Sequence, residues 1–225
     1  MDIRGYRSGD APALYRICLL TGDSGRDATG RYADPWLLGH VYLGPYLALA
    51  RRYALVLDRG DGTPVGYAVG APDSEAFAAR CEVAWWPRLR RRYPDPVGVP
   101  PASQTPDQRL AALIHHPPPA PAATARFPSH LHIDLLPEAR GRGHGRALMD
   151  RLLAALAAAG SPGVHLGVDL ANRPAVGFYR RLGFTELERS AGGVILAAAL
   201  PRPGPAAARP RPRCRPARSG RPTST

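Results

Sequence analysis

The chemistry in this chain is concentrated in Arg140-Gly141-Arg142-Gly143-His144-Gly145-Arg146, which follows the apolar run ending at Leu135-Leu136. Glycines at 141, 143 and 145 let the backbone turn tightly and present successive N–H groups outward. A helix starting there adds its unsatisfied first-turn amides and the positive end of its dipole. Arg140, Arg142 and Arg146 surround the turn with fixed positive charge. Together these are the parts that hold a phosphate or pyrophosphate. A Walker loop is excluded, since the chain contains no lysine, and the segment does not fit the dinucleotide fingerprint. The plainer alternative is an ordinary strand-to-helix turn rich in Gly and Arg through compositional bias.

A second motif follows the next strand: Asn172-Arg173-Pro174-Ala175-Val176-Gly177-Phe178-Tyr179-Arg180-Arg181-Leu182-Gly183-Phe184. Arg-x-x-Gly-x-Gly after a strand, followed by Asn-x-x-Ala-x-x-Phe-Tyr-x-x-x-Gly-Phe, resembles the GNAT superfamily of acyl-CoA-dependent N-acyltransferases over residues 130–184. The resemblance implies an α/β fold with a central mixed sheet flanked by helices, in which the strands matching His130–Leu136 and Val164–Leu170 splay apart. It further implies that the pantetheine arm of acetyl-CoA pairs with the free edge at Leu135 and Leu136. The pyrophosphate is then expected on the amides of Gly141, Arg142, Gly143, His144, Gly145 and Arg146, beside Arg140. Asn172 matches the position that bonds the pantetheine, Phe178 lies along the cofactor with Ala175 in the same motif, and Tyr179 matches the residue that protonates the departing CoA thiolate.

An amine acceptor must lose a proton. Strand alternation puts His130, His132 and Asp134 on one face and Leu131, Ile133 and Leu135 on the other. Asp134, nearest the acyl end, is the first choice for a general base and His132 the second, acting directly or through water; such groups contribute roughly 10²–10⁴-fold. The same residues could instead satisfy neighbouring loops. A His-x-His-x-Asp metal site is the sharper alternative, but the implied fold needs no metal and none is expected.

A narrower resemblance covers the N-terminal half. Tyr15-Arg16-Ile17-Cys18, Thr21-Gly22-Asp23, Asp34-Pro35-Trp36-Leu37-Leu38-Gly39-His40, Gly44-Pro45-Tyr46-Leu47, Gly66-Tyr67-Ala68-Val69-Gly70 and Trp85-Trp86-Pro87-Arg88-Leu89-Arg90 are similar to the acetyltransferase-like C-terminal domain of O-GlcNAc hydrolases. The 225 residues leave no room for the hydrolase barrel, so glycosidase activity is not implied. The animal domains of that group have a degraded glycine loop. This chain keeps Arg140, Gly143, Gly145 and Tyr179, which implies acyl-CoA binding.

The elements that must position these groups can be read in outline. Asp10 is placed to cap a helix bearing the Leu14, Ile17, Cys18 stripe. One helix is expected over Pro35–Tyr46, ended near Gly44-Pro45. A hairpin is expected from Tyr53–Asp58 and Val65–Gly70 around Arg59-Gly60-Asp61-Gly62. Ser74–Tyr93 reads as helical with a break at Pro87. Residues 94–128 carry ten prolines and form an insertion that could serve as a lid, with only Asp107–His115 able to form a helix. Strand, helix, strand, helix and strand then follow over His130–Leu136, Arg146–Ala159, Val164–Leu170, Ala175–Leu182 and Val194–Leu200, which requires at least one parallel pair. Residues 1–200 thus form one domain. Residues 201–225, rich in Arg and Pro, are expected to be disordered.

Composition sets the outer limits. Hydrophobic residues make up 44%, enough for a core, and no apolar run is long enough to span a membrane. Cys18, Cys81 and Cys214 match neither a disulfide framework nor a metal finger, and no secretory signal opens the chain, so a cytoplasmic location is expected. Of the formal +12 charge, seven arginines lie in residues 201–225 with no acid. That tail offers sequence-independent phosphate attraction at most, so nucleic acid is not an expected partner beyond it. The acceptor is an unidentified amine, on a small molecule or a protein lysine. Asp23, Asp27 and Asp34 would suit a cationic one, though a solvated polar loop is the favoured reading of them. Trp36, Tyr42, Tyr46 and Trp85 could line a pocket or the core. The competing function is a catalytically inactive module that holds CoA or a protein partner on the same scaffold.

Overall fold

Strand β3 (Pro64–Ala71) shows how the layers form. In this computed structural model, which describes residues 1–200, Tyr67, Val69 and Ala71 face one apolar core and Ala68 faces another. That is the period-two pattern of a strand covered on both sides. The sheet has seven strands in the order β1 (Asp2–Gly5), β2 (Ala54–Asp58), β3, β4 (Ser129–Leu135), β5 (Gly163–Asp169), β7 (Gly193–Ala199) and β6 (Thr185–Arg189). Neighbours run antiparallel except β4 and β5, which are parallel and joined through helix α7 (His144–Ala158).

Helices α1 (Ala11–Thr21), α2 (Leu37–Tyr42), α3 (Gly44–Leu49), α4 (Ser74–Ala84), α5 (Trp86–Arg92) and α6 (Pro106–His115) contribute to the first core. Helix α7 and helix α8 (Arg173–Arg181) contribute to the second. Leu148, Met149, Leu152 and Leu156 form the buried stripe of α7. Truncating one such leucine to alanine costs about 2–5 kcal/mol.

Two expectations need correction. Asp10 precedes α1, but its carboxylate does not cap that helix; it accepts from Arg4 at 2.8 and 2.9 Å and from the Arg7 N–H. The helix expected over Pro35–Tyr46 is two, because Gly44-Pro45 opens α3, where a first-turn proline sacrifices no hydrogen bond. Within the 94–128 segment, Leu110 and Ile114 of α6 are buried in the first core. Strand β6 was not anticipated, since all five of its residues are exposed and show no alternation. The expectation for residues 201–225 lies outside the described residues.

The feature that positions the site is a divergence. Strands β4 and β5 pair only at Ser129↔Val164 and His130↔His165, although each is seven residues long. Beyond those two rungs they part, leaving the C-terminal half of β4 with β3 on one side and an open edge on the other.

Candidate functional site

A cleft of about 470 Å³ fills that divergence. Its floor is the turn into α7. Gly141 (φ 75°) and Gly143 (φ 83°) both lie in the left-handed region, and a Cβ on either would meet nothing within 4 Å. Helices α4, α6 and α8 have their first turns capped by the side chains of Asp73, Thr105 and Asn172, whereas α7 begins at Gly143 without a side-chain cap. Its leading amides are therefore left for an external acceptor. At Gly145 a Cβ would sit 3.3 Å from both Leu135 Cδ1 and Phe178 Cζ, so any larger residue would press on both side chains. Arg140, Arg146 and Arg181 supply cations along the lining.

The open edge belongs to Ile133 and Leu135. The N–H of Leu136 donates to Val65 O and its carbonyl accepts from Ala139. Leu136 is thereby committed to its own side of the sheet, against the expectation that it pairs with a ligand. In an antiparallel ladder successive residues alternate, so the backbone groups of Ile133 and Leu135 point into the cleft. Arg140 reaches across, with Nε donating to Leu135 O at 2.8 Å and Nη2 to Gly25 O at 2.9 Å.

Gly25 comes from the loop after α1. Ser24 (φ 52°) and Gly25 (φ 86°) form a left-handed pair closed by an Asp23↔Arg26 bridge. Ser24 Oγ donates to Asp169 Oδ2 at 2.7 Å, and a Cβ on Gly25 would stand 3.2 Å from Asn172 Nδ2. The turn thus straps the β4 side of the cleft to the β5 side. Asn172 Oδ1 accepts from Ala175 N–H at 3.2 Å, which fixes its amide at the mouth.

Asp134 and Tyr179, the two groups suited to proton transfer, line the same cleft. Tyr67 Oη donates to Asp134 Oδ2 at 2.5 Å. Among the described residues, neither Asp134 Oδ1 nor the Tyr179 hydroxyl has a partner, yet no buried side-chain oxygen is left orphaned. Both therefore open into the cleft that their residues line. Burial, and then the Asp134 charge, push the Tyr179 phenol above the usual tyrosine range, so it keeps its proton. Burial lowers His132, outweighing Asp134, so its imidazole is neutral at pH 7; it packs edge-on to Tyr42 and Tyr46 and does not line the cleft. Burial pushes the Cys18 thiol up to about 12.

Of the residues singled out from sequence, the cleft gathers Asp134, Leu135, Arg140, Gly141, Gly143, Gly145, Arg146, Asn172, Ala175, Phe178 and Tyr179. Leu136, Arg142 and His144 lie outside its lining. Ile133, Gly25, Pro174 and Arg181 were missed. Pro174 and Arg181 stand within the recognised motif, and strand alternation puts Ile133 on the same face as Leu135, so a signal existed for three of the four.

The carboxylates of the acidic loop already have partners within the protein. Asp23 pairs with Arg26 and Arg31, and Asp27 accepts from Thr29. Asp34 accepts from Tyr93, Arg92 and the Trp36 N–H. Tyr46 and Trp85 are core residues, while Trp36 and Tyr42 are exposed. A second cavity of about 380 Å³ holds Arg51, Arg52 and Arg80, and its one carboxylate, Asp73, caps α4. Among the described residues no helix is long and apolar enough to cross a membrane. None of their His, Cys, Asp and Glu side chains gather in threes as a metal site requires.

With this geometry in hand, comparison with known proteins is specific. A profile described as the Acetyltransferase (GNAT) family matches residues 110–184. The crystal structure of SsHAT is 40% identical, with a TM-score of 0.83 over 89% of this chain and 98% of that one. A crystal structure described as an acetyltransferase shares the fold at 20% identity, with a TM-score of 0.56 over 89% of this chain and 100% of that one. Protein O-GlcNAcase of Rattus norvegicus is 29% identical over 192 residues, 84% of this chain. The chain spans about a fifth of the length of the curated relatives it matches, 20% in the rat protein.

Proposed function

The chain belongs to the GNAT acetyltransferase family, and from that premise we propose that it transfers the acetyl group of acetyl-CoA directly to a primary amine, with both held in a ternary complex. One observation carries the reading. The unpartnered Asp134 Oδ1 and Tyr179 hydroxyl share a cleft with the uncapped start of α7.

The residues fit the cofactor. The amides at the start of α7, with Arg140 and Arg146, would hold the pyrophosphate. The Ile133 and Leu135 backbone edge would take the pantetheine amides, with Asn172 and Phe178 alongside. When bound, acetyl-CoA supplies an electrophilic acyl carbon and a thiolate leaving group.

Asp134 Oδ1 takes the proton that the amine must lose. The Tyr179 hydroxyl donates to the sulfur as negative charge develops there, and passes its proton over as the thiol departs. The two steps are linked, because the Asp134 charge is one of the causes holding the Tyr179 phenol up. Neutralising Asp134 removes that contribution, so the phenol becomes a better acid after the amine has been deprotonated. Cys18 stays a buried thiol at neutral pH, which supports direct attack over an acyl-cysteine intermediate.

The test is CoA release from acetyl-CoA in the presence of a library of small amines and lysine peptides. At least one amine is expected to accelerate release, and Asp134→Asn to reduce that rate by roughly 10²–10⁴-fold. Release that no amine accelerates, or an asparagine variant as fast as wild type, would contradict the reading.

A further inference from the structure

We propose that Tyr67 is the positioning residue of the catalytic base: its hydroxyl grips one oxygen of Asp134 and so presents the other to the acceptor amine. The inference rests on Asp134 being the base, as argued above.

Register creates the pair. β3 and β4 run antiparallel with Tyr67 directly opposite Asp134, so the two side chains leave the same face of adjacent strands. Tyr67 is only 1% exposed and otherwise surrounded by the first core. Phenylalanine would fill that core without a hydroxyl to satisfy, and burying one unpaired is costly. The hydroxyl instead finds the only carboxylate that lines the cleft among the described residues.

The groups around Asp134 leave this bond decisive. Tyr67 faces it from β3, Cys18 from α1, Tyr179 from α8 and His132 from its own strand. Burial first, and then the Asp134 charge, hold the Tyr67 phenol well above the usual range, so it is a neutral donor and never a competing acid. Cys18 and Tyr179 also stay protonated, and His132 stays uncharged. Among the described residues no arginine pairs with Asp134, so the Tyr67 bond is what the side chains offer its anionic form. With Oδ2 held, rotation of the carboxylate is blocked and Oδ1 is fixed toward the cleft.

The test follows the Asp134 carboxyl itself, by carbon-13 NMR of the full chain labelled at aspartate, its signal assigned by loss in Asp134→Asn. In Tyr67→Phe the titration midpoint should rise by about one pH unit, because a hydrogen bond to the charged form has been lost. The acid limb of kcat/KM for the amine should move by the same interval, with acetyl-CoA affinity unchanged. Tyr67→3-fluorotyrosine keeps the side-chain shape, makes the phenol a stronger donor and should move both readings the opposite way. It keeps the test decisive if the phenylalanine variant fails to fold. A midpoint unmoved in the folded variants overturns the role of Tyr67. A midpoint that moves while the rate limb stays in place overturns Asp134 as base, and with it the catalytic meaning of the pair.

Discussion

Among the described residues the Tyr179 hydroxyl has no partner as it enters the cleft, and its burial keeps the phenol protonated. A group that acts only as charge develops on sulfur should be silent in cofactor binding. Tyr179→Phe is therefore expected to lower kcat by roughly 10²–10⁴-fold and leave acetyl-CoA affinity nearly unchanged, as read by paired turnover and titration measurements. At this scale legibility depended on distance along the chain. The place of Tyr179 in the cleft was readable because the residue sits inside a local motif. Tyr67 was not, because its partner lies 67 residues away and meets it only through the register of β3 on β4. The acidic residues of the α1–α2 loop were only half legible. Sequence shows their charge but not the Arg31, Thr29 and Tyr93 groups that consume it.

Among the elements, α7 combines two properties that a sequence reading joins correctly. Its apolar stripe anchors it to the sheet, and its glycine-opened N-terminus is left uncapped. At Gly143 a Cβ has open space but the backbone is at φ 83°, a conformation that a β-branched residue adopts only under strain. Gly143→Val is therefore expected to fold with a loss of about 1–3 kcal/mol and to abolish cofactor binding, because the turn relaxes and the side chain enters the phosphate's place. Helices and strands with strong periodicity were legible throughout. The elements missed were those that periodicity does not mark. β6 is an edge strand with every residue exposed, and α3 is a single short helix begun by a Gly-Pro pair that reads as a stop. In the Pro-rich 94–128 segment the prolines dominate the pattern, while the residues that root α6 in the core, Leu110 and Ile114, are few.

For the molecule as a whole, the buried histidines set the acid limit of stability. Burial, reinforced by His132 and His165, lowers His130 to about 3, and burial lowers His132 as well. An unfolded histidine titrates near 6.5, so between about pH 6.5 and 3 the unfolded chain binds protons that the folded chain refuses. Stability is thus full above about pH 6.5 and falls on acidification by up to about 1.4 kcal/mol per pH unit for each such histidine. Asp10 and Asp58, both held low by Arg4 and backbone donors, withdraw their contribution only as pH falls below about 4. Urea melts at pH 7 and pH 5 should show the loss in wild type and a smaller loss in His130→Asn. The same slope in both would contradict this account. The central claim concerns the cleft between β4 and β5, and calorimetric titration with acetyl-CoA tests it most directly. Wild type should bind at micromolar Kd or tighter, about −8 kcal/mol, and Gly143→Val should give no heat of binding. Absence of binding by wild type at millimolar acetyl-CoA, or equal binding by the variant, would contradict the claim and leave the chain as an acetyltransferase scaffold serving a partner instead of a reaction.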